Sequence, residues 1–168
     1  MSDKMTDNQM TVEVRGMDMV MTRLFDAPKD TVFQAFTTSE DLKEWWGPKG
    51  WTLPVSRMEF KANGSWDYCM QSPTGEMSCG KSVYHDIQAP DSYSYTDYFT
   101  DEAGRINPDM PEMRISMDFE ELEGRTKVSS RTHFQSQDDL KKVMDMGAEQ
   151  GMRETWDRLD DYLARRPR

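Results

Sequence analysis

A chain of 168 residues is the size of one ordinary domain and long enough to enclose a real core. Its formal net charge of −10 argues against nucleic acid and anionic membrane surfaces as partners. No apolar run approaches the ~20 residues of a membrane span, and two cysteines, Cys69 and Cys79, make no metal set.

Residues 1–10 are polar and acidic, without the basic and apolar regions of a signal peptide. They are expected to be disordered, in a protein of the cytoplasm. Residues 11–168 are expected to form a single domain. The first strand is predicted from Thr11 to Phe25, where Val12, Val14, Met17, Met19 and Met21 are apolar and Gly16 is a point at which it could break. Asp26-Ala27-Pro28 ends it. Pro28 suits the first turn of a short helix whose apolar side is Val32, Phe33 and Phe36. Ser39 is expected to cap a second short helix, Glu40 to Trp46, followed by a turn at Gly47-Pro48-Lys49-Gly50.

Strands are then predicted at Trp51–Phe60, Ser65–Gln71, Met77–Ile87, Ser92–Thr100, Glu112–Leu122 and Arg125–Phe134. Two hairpins carry enough pattern to set their register. With the turn centred on Thr74, Asp67 faces Lys81 and Cys69 faces Cys79 on one side of the sheet. On the other, Trp66 faces Ser82, Tyr68 faces Gly80 and Met70 faces Ser78. Opposite charges help across a ladder and rings fit over small neighbours, so both faces agree. Trp66, Tyr68 and Met70 should therefore point inward. In the last hairpin Glu120 faces Lys127. That puts Met113, Ile115, Met117 and Phe119 on the buried face with Phe134, Thr132, Ser130 and Val128. Tyr93 and Tyr95 are also expected inward, with Phe99 as a further candidate.

The stretch Ser136–Arg165 reads as one long amphipathic helix. Ser136 is a good N-cap, with Asp139 at capping-box spacing, and Pro167 ends it. Leu140, Met144, Ala148, Met152, Thr155, Leu159, Tyr162 and Leu163 form its apolar stripe. Gly147 and Gly151 interrupt it. Each costs roughly 1 kcal/mol against alanine inside a helix. They signal close packing or a bend, or they leave room for a ligand. The predicted order β-α-α-β-β-β-β-β-β-α is an α+β fold. Its seven-stranded, mostly antiparallel sheet curls around the long C-terminal helix and leaves a cavity between them.

Several runs carry a family resemblance across roughly residues 17–165. They are Thr22-Arg23-Leu24-Phe25-Asp26-Ala27-Pro28, Trp45-Trp46-Gly47-Pro48-Lys49-Gly50-Trp51, Asn63-Gly64-Ser65-Trp66 and Met146-Gly147-Ala148-Glu149-Gln150-Gly151-Met152, with Leu159-Asp160-Asp161-Tyr162-Leu163. The chain resembles the bacterial AHSA-like family, homologues of the C-terminal domain of the activator of heat shock protein 90 ATPase. Asn63-Gly64 departs from the Gly-Gly pair of many relatives. The resemblance implies the helix-grip fold of the START and birch-pollen-allergen-like (SRPBCC) superfamily. That superfamily includes hydrophobic-ligand carriers, cyclases and co-chaperone domains, so the fold leaves function open.

The residues themselves offer little chemistry. His85 and His133 fall on the polar face, no phosphate loop or nucleophile motif occurs, and neither a cofactor nor a catalytic residue is implied. Cys69 and Cys79 are expected as thiols in a reducing compartment. Asp86 is the one acid expected to face inward. A ligand site is expected to draw on Trp46, Trp66, Tyr68, Tyr84, Tyr95, Met113, Met117, Met144, Gly147, Gly151, Met152 and Trp156, a set that would otherwise be plain core. Inward tyrosines, Ser82, Ser130 and Thr132 favour the site, because a dry core would have to satisfy each polar group. Three functions follow. The first is non-enzymatic binding of a hydrophobic or aromatic small molecule. The second is co-chaperone-like action on a chaperone ATPase through an exposed surface. The third, a cyclase- or hydrolase-type enzyme, lacks a paired acid and base.

Overall fold

The computed structural model describes residues 10–166. Its elements are β1 (Thr11–Arg15), β2 (Asp18–Phe25), α1 (Lys29–Thr37), α2 (Ser39–Trp45), β3 (Thr52–Met58), β4 (Ser65–Gln71), β5 (Met77–Gln88), β6 (Ser92–Thr100), β7 (Met113–Leu122), β8 (Arg125–Phe134), α3 (Gln137–Asp145) and α4 (Ala148–Arg165). One antiparallel sheet runs in the order β1-β2-β8-β7-β6-β5-β4-β3. The architecture is the α+β helix-grip arrangement, with eight strands rather than seven.

The extra strand comes from the first hairpin. Arg15 pairs with Asp18 across the two-residue loop Gly16-Met17, and Gly16 sits at φ 62°. A positive φ at the first central position matches the twist of a tight hairpin and favours glycine. The apolar residues change parity at this point, from Val12 and Val14 to Met19 and Met21, and the pairing brings them back to one face. The expected disorder of residues 1–10 concerns nine residues outside the described ones. Met10 itself is buried, and its carbonyl accepts from Arg153 Nη1 at 2.7 Å.

Both registers read from the sequence are present. Trp66 pairs with Ser82, Asp67 with Lys81 and Tyr68 with Gly80, and in the last hairpin Met113 pairs with Phe134 and Glu120 with Lys127. Strand β7 alternates buried and exposed through Met113, Ile115, Met117 and Phe119. Cys69 and Cys79 lie opposite each other with Cα atoms 4.0 Å apart, and they form a disulfide rather than the expected pair of thiols. In the second short helix Thr38, not Ser39, occupies the N-cap position. Ser39 Oγ donates instead to the Ser56 carbonyl at 3.1 Å, and Trp46 lies just past the helix end.

The C-terminal helix is two helices. Ser136 caps α3 by accepting from the Asp139 amide at 3.0 Å, as expected. The helix stops at Met146, Gly147 adopts φ 85°, and α4 begins. Left-handed glycine just past a helix end is a common stop signal. The break rotates the buried side: α3 buries Val143, whereas α4 buries Thr155, Trp156, Leu159 and Leu163. Pro167 lies outside the described residues. Arg23 on β2 ties α4 to the sheet through Asp157 at 2.6 Å. Arg158 Nη1 donates to the carbonyls of Trp46, Gly47, Pro48 and Trp51 at 2.9–3.3 Å, fixing the turn after α2 against α4.

Leu159 has no exposed surface and sits in the main core cluster. Leu159→Ala is expected to destabilise the protein by about 2–5 kcal/mol, as truncation of a buried leucine does. Denaturant unfolding measures this, and a change within error would contradict the seating of α4.

Candidate functional site

Between α4 and the concave face of the sheet lies a cavity of about 270 Å³. That is near the lower end of the ~300–1,000 Å³ typical of small-molecule sites. The alternation of the central strands supplies its walls. Trp66 and Tyr68 come from β4, Tyr84 from β5, Tyr95 from β6, and Met113 and Met117 from β7. Trp46 closes one side, and Gly151, Met152 and Trp156 form the helix side. Ten of the twelve residues expected at a site thus meet around one space. Met144 and Gly147 do not line it. Met144 packs against the core from α3, and Gly147 sits in the link between helices, with open space where a side chain would be. The bend at Gly147 turns both away.

Pairing of large with small side chains shapes the sheet side. Tyr68 lies so close over Gly80 that a Cβ there would fall 2.4 Å from the tyrosine oxygen. Trp66 stacks on Tyr68 with centroids 4.2 Å apart, and Trp46 meets Trp66 edge-on at 5.3 Å. Trp66 Nε1 donates to Ser56 Oγ at 3.0 Å. Trp46 Nε1 is buried with no acceptor among the described residues. An unmet buried donor costs about 1–3 kcal/mol.

The acid inside the cavity is Asp97, not Asp86. A bulge between Tyr84 and Ile87 breaks the alternation of β5 and leaves Asp86 exposed, its backbone amide donating to Ser94 Oγ at 3.3 Å. Asp97 was missed by sequence reasoning, although the alternation Tyr93, Tyr95, Asp97, Phe99 on β6 contained the signal. Its Oδ1 accepts from Ser82 Oγ at 3.1 Å, and the Tyr68 hydroxyl makes longer contacts of 3.4 and 3.5 Å to its two oxygens. Asp97 is partly buried and lines the cavity. Burial pushes its carboxyl up to about 7, against the opposing pull of the Ser82 and Tyr68 hydrogen bonds. Burial and the nearby Asp97 charge raise Tyr68, Tyr84 and Tyr95 well above the ordinary phenol range, so these hydroxyls stay neutral. No lysine, arginine or histidine among the described residues lines the cavity. His85 instead bonds Thr96 Oγ1 at 2.7 Å, and His133 meets Asp18 at 2.6 Å on the exposed face. Among the described residues no group of three or more metal-ligating side chains occurs, and no helix is long and apolar enough to cross a membrane.

Comparison with known proteins places this geometry in context. The family described as Activator of Hsp90 ATPase homolog 1-like protein matches residues 26–164. A solution structure of a Staphylococcus epidermidis protein is 32% identical, with 95% of this chain and 96% of that chain covered and a TM-score of 0.80. A solution structure of an Arthrobacter aurescens protein is 28% identical over 93% of this chain and 92% of that chain, with a TM-score of 0.87. A crystal structure of a Mycobacterium smegmatis protein is 26% identical over 95% and 99%, with a TM-score of 0.86. No curated protein matches the chain at a significant level.

Asp97 gives the cavity a pH signature in stability. Its carboxyl titrates higher in the folded than in the unfolded chain, so the folded state holds the proton longer. The resulting stabilisation is complete below about pH 4 and is lost as pH rises through about 7, with an upper bound of about 4 kcal/mol. Asp97→Asn should remove this dependence. Across that window the wild type is expected to lose stability relative to the variant, as followed by urea unfolding. Parallel curves for the two proteins would contradict the burial of Asp97.

Proposed function

The chain belongs to the family of Activator of Hsp90 ATPase homolog 1-like proteins, and we propose that it binds a small, mainly apolar or aromatic molecule in the cavity between α4 and the sheet. Family and fold agree in general with a small-molecule-binding or co-chaperone-type domain. The observation that carries the finer reading is the cavity itself: apolar and aromatic walls with a few polar groups, Asp97, Ser82 and Tyr68, that meet through their hydrogen bonds. This is the usual make-up of a ligand pocket. Methionines at Met19, Met21, Met117 and Met152 supply a wall that can adjust to ligand shape.

The reading is binding without catalysis. Asp97 has hydroxyl neighbours, but no second acid or base of matched pKa shares the cavity among the described residues. The family description supports a second reading, in which an exposed surface of the domain acts on a chaperone ATPase. That function would be indifferent to what fills the cavity.

Gly151 separates the two readings. It lines the cavity, and a Cβ there would touch only Pro48 Cγ at an ordinary 3.7 Å. Gly151→Leu should therefore fold, aided by about 1 kcal/mol of helix propensity, while its side chain occupies the space. The neutral fluorophore N-phenylnaphthylamine should bind the wild type, and Gly151→Leu should weaken that binding about tenfold or more. Unchanged binding by a folded variant would overturn the ligand reading. Stimulation of a chaperone ATPase that survives the substitution would favour the second.

A further inference from the structure

Among the described residues the cavity holds one carboxylic acid, Asp97, and no cation to balance it. Ser82 and Tyr68 donate to Asp97 from β5 and β4, but both donors are neutral. Tyr84 on β5 and Tyr95 on its own strand approach it, also neutral. Its partner across β7 is Met113, and α4 presents Gly151, Met152 and Thr155 to the cavity. Among the described residues, no element packed around the space brings a positive charge into it. Structural carboxylates set among apolar walls are normally paired with a cation in the protein. Much of the rest of the lining is aromatic rings and methionines, with Ser130, Thr132 and Thr155 adding hydroxyls.

We propose that the ligand is a small organic ammonium ion, a protonated primary or secondary amine on an apolar body, with its N–H groups on Asp97 and its body along the aromatic wall. This rests on the cavity being the binding site. The ammonium supplies what the lining lacks. It donates to the carboxylate oxygens that Ser82 and Tyr68 leave open, and it lies among rings whose faces attract cations. A carboxylate ligand would meet like charge in a place of low dielectric. A hydrocarbon would leave the ionised Asp97 unrelieved. A metal ion would find one carboxylate and a few hydroxyls, too few oxygens for a hard cation.

The test compares three molecules of nearly one shape: phenethylammonium, neutral propylbenzene and anionic hydrocinnamate. Each is titrated against protein carrying N-phenylnaphthylamine, with calorimetry as the direct measure. At about pH 8, phenethylammonium should bind about tenfold or more tighter than either isostere. Protons compete for Asp97, so its affinity should fall about tenfold or more towards pH 5.5, with proton release on binding in the acid range. Propylbenzene should show no such fall. Asp97→Asn should erase the preference for the cation while keeping propylbenzene binding. Ser82→Ala removes a hydrogen bond that favours the ionised carboxyl, so the midpoint of the pH profile should move upward. This second variant carries the test if Asp97→Asn does not fold. Equal binding of cation and hydrocarbon across the pH range, or tighter binding of hydrocinnamate, would overturn the proposal while leaving the cavity reading intact. Failure of the fluorophore and all three compounds to bind would overturn both.

Discussion

The structure depends on how α4 seats in the concave sheet. Trp156, Leu159 and Leu163 sink into the core, with Trp156 held edge-on by Phe25 at 5.8 Å and Phe36 at 6.2 Å. Burying three such side chains is worth several kcal/mol, about 1.5–3 each. Yet one helix is narrower than an eight-stranded sheet. It covers the part of the concave face near β2 and β8, where Arg23 ties it down. Elsewhere on the concave face the sheet must find other partners, and side chains from β2 and β4 to β8 fill only part of the gap. The cavity is the remainder of that geometry, not an interruption of it.

The hydrogen-bonded pairing of β4, β5 and β6 then decides what the cavity contains. Tyr68 faces Gly80, and Gly80 in turn faces Phe99 on β6; Ser82 lies between Trp66 and Asp97. Two small residues on the central strand let large ones on either side lean across it. That leaning brings the Tyr68 hydroxyl to Asp97 and places the acid among rings. A bulkier residue at Gly80 would push Tyr68 away from the carboxylate. Small residues here do not merely make space; they set which polar groups can meet.

Much of this was legible in the sequence where two independent patterns agreed. Charge pairing on the outer face and size pairing on the inner face both fixed β4 against β5, so the inward direction of Trp66 and Tyr68 followed. Asp97 had only one pattern behind it. The alternation of β6 pointed it inward, but its partner Ser82 could not be identified, because the bulge between Tyr84 and Ile87 shifts the register that a simple count would give. The same bulge made Asp86 look inward. The sequence marked Gly16 as a possible break in one strand; the change of parity from Val14 to Met17 shows that the break is a hairpin. The break at Gly147 was masked because the apolar stripe runs on through Met144, Ala148 and Met152 at a spacing of four residues. Periodicity records which residues are apolar, not whether the backbone between them is unbroken.

The two glycines of the C-terminal segment show why composition alone could not assign the site. Gly147 is used for its backbone: at φ 85° it ends α3 and starts α4, with nothing near it that a side chain would touch. Gly151 is used for its missing side chain. It sits inside α4, its carbonyl accepts from Thr155 Oγ1 at 2.7 Å, and its bare face opens on the cavity opposite Pro48. In the first case any side chain would be strained by φ, whatever the space. In the second a side chain is tolerated by the backbone and would reach into the cavity. A helix gains stability when such a glycine is replaced. Its presence at a cavity wall is therefore a cost to the helix, one that fits the ligand-binding reading we propose.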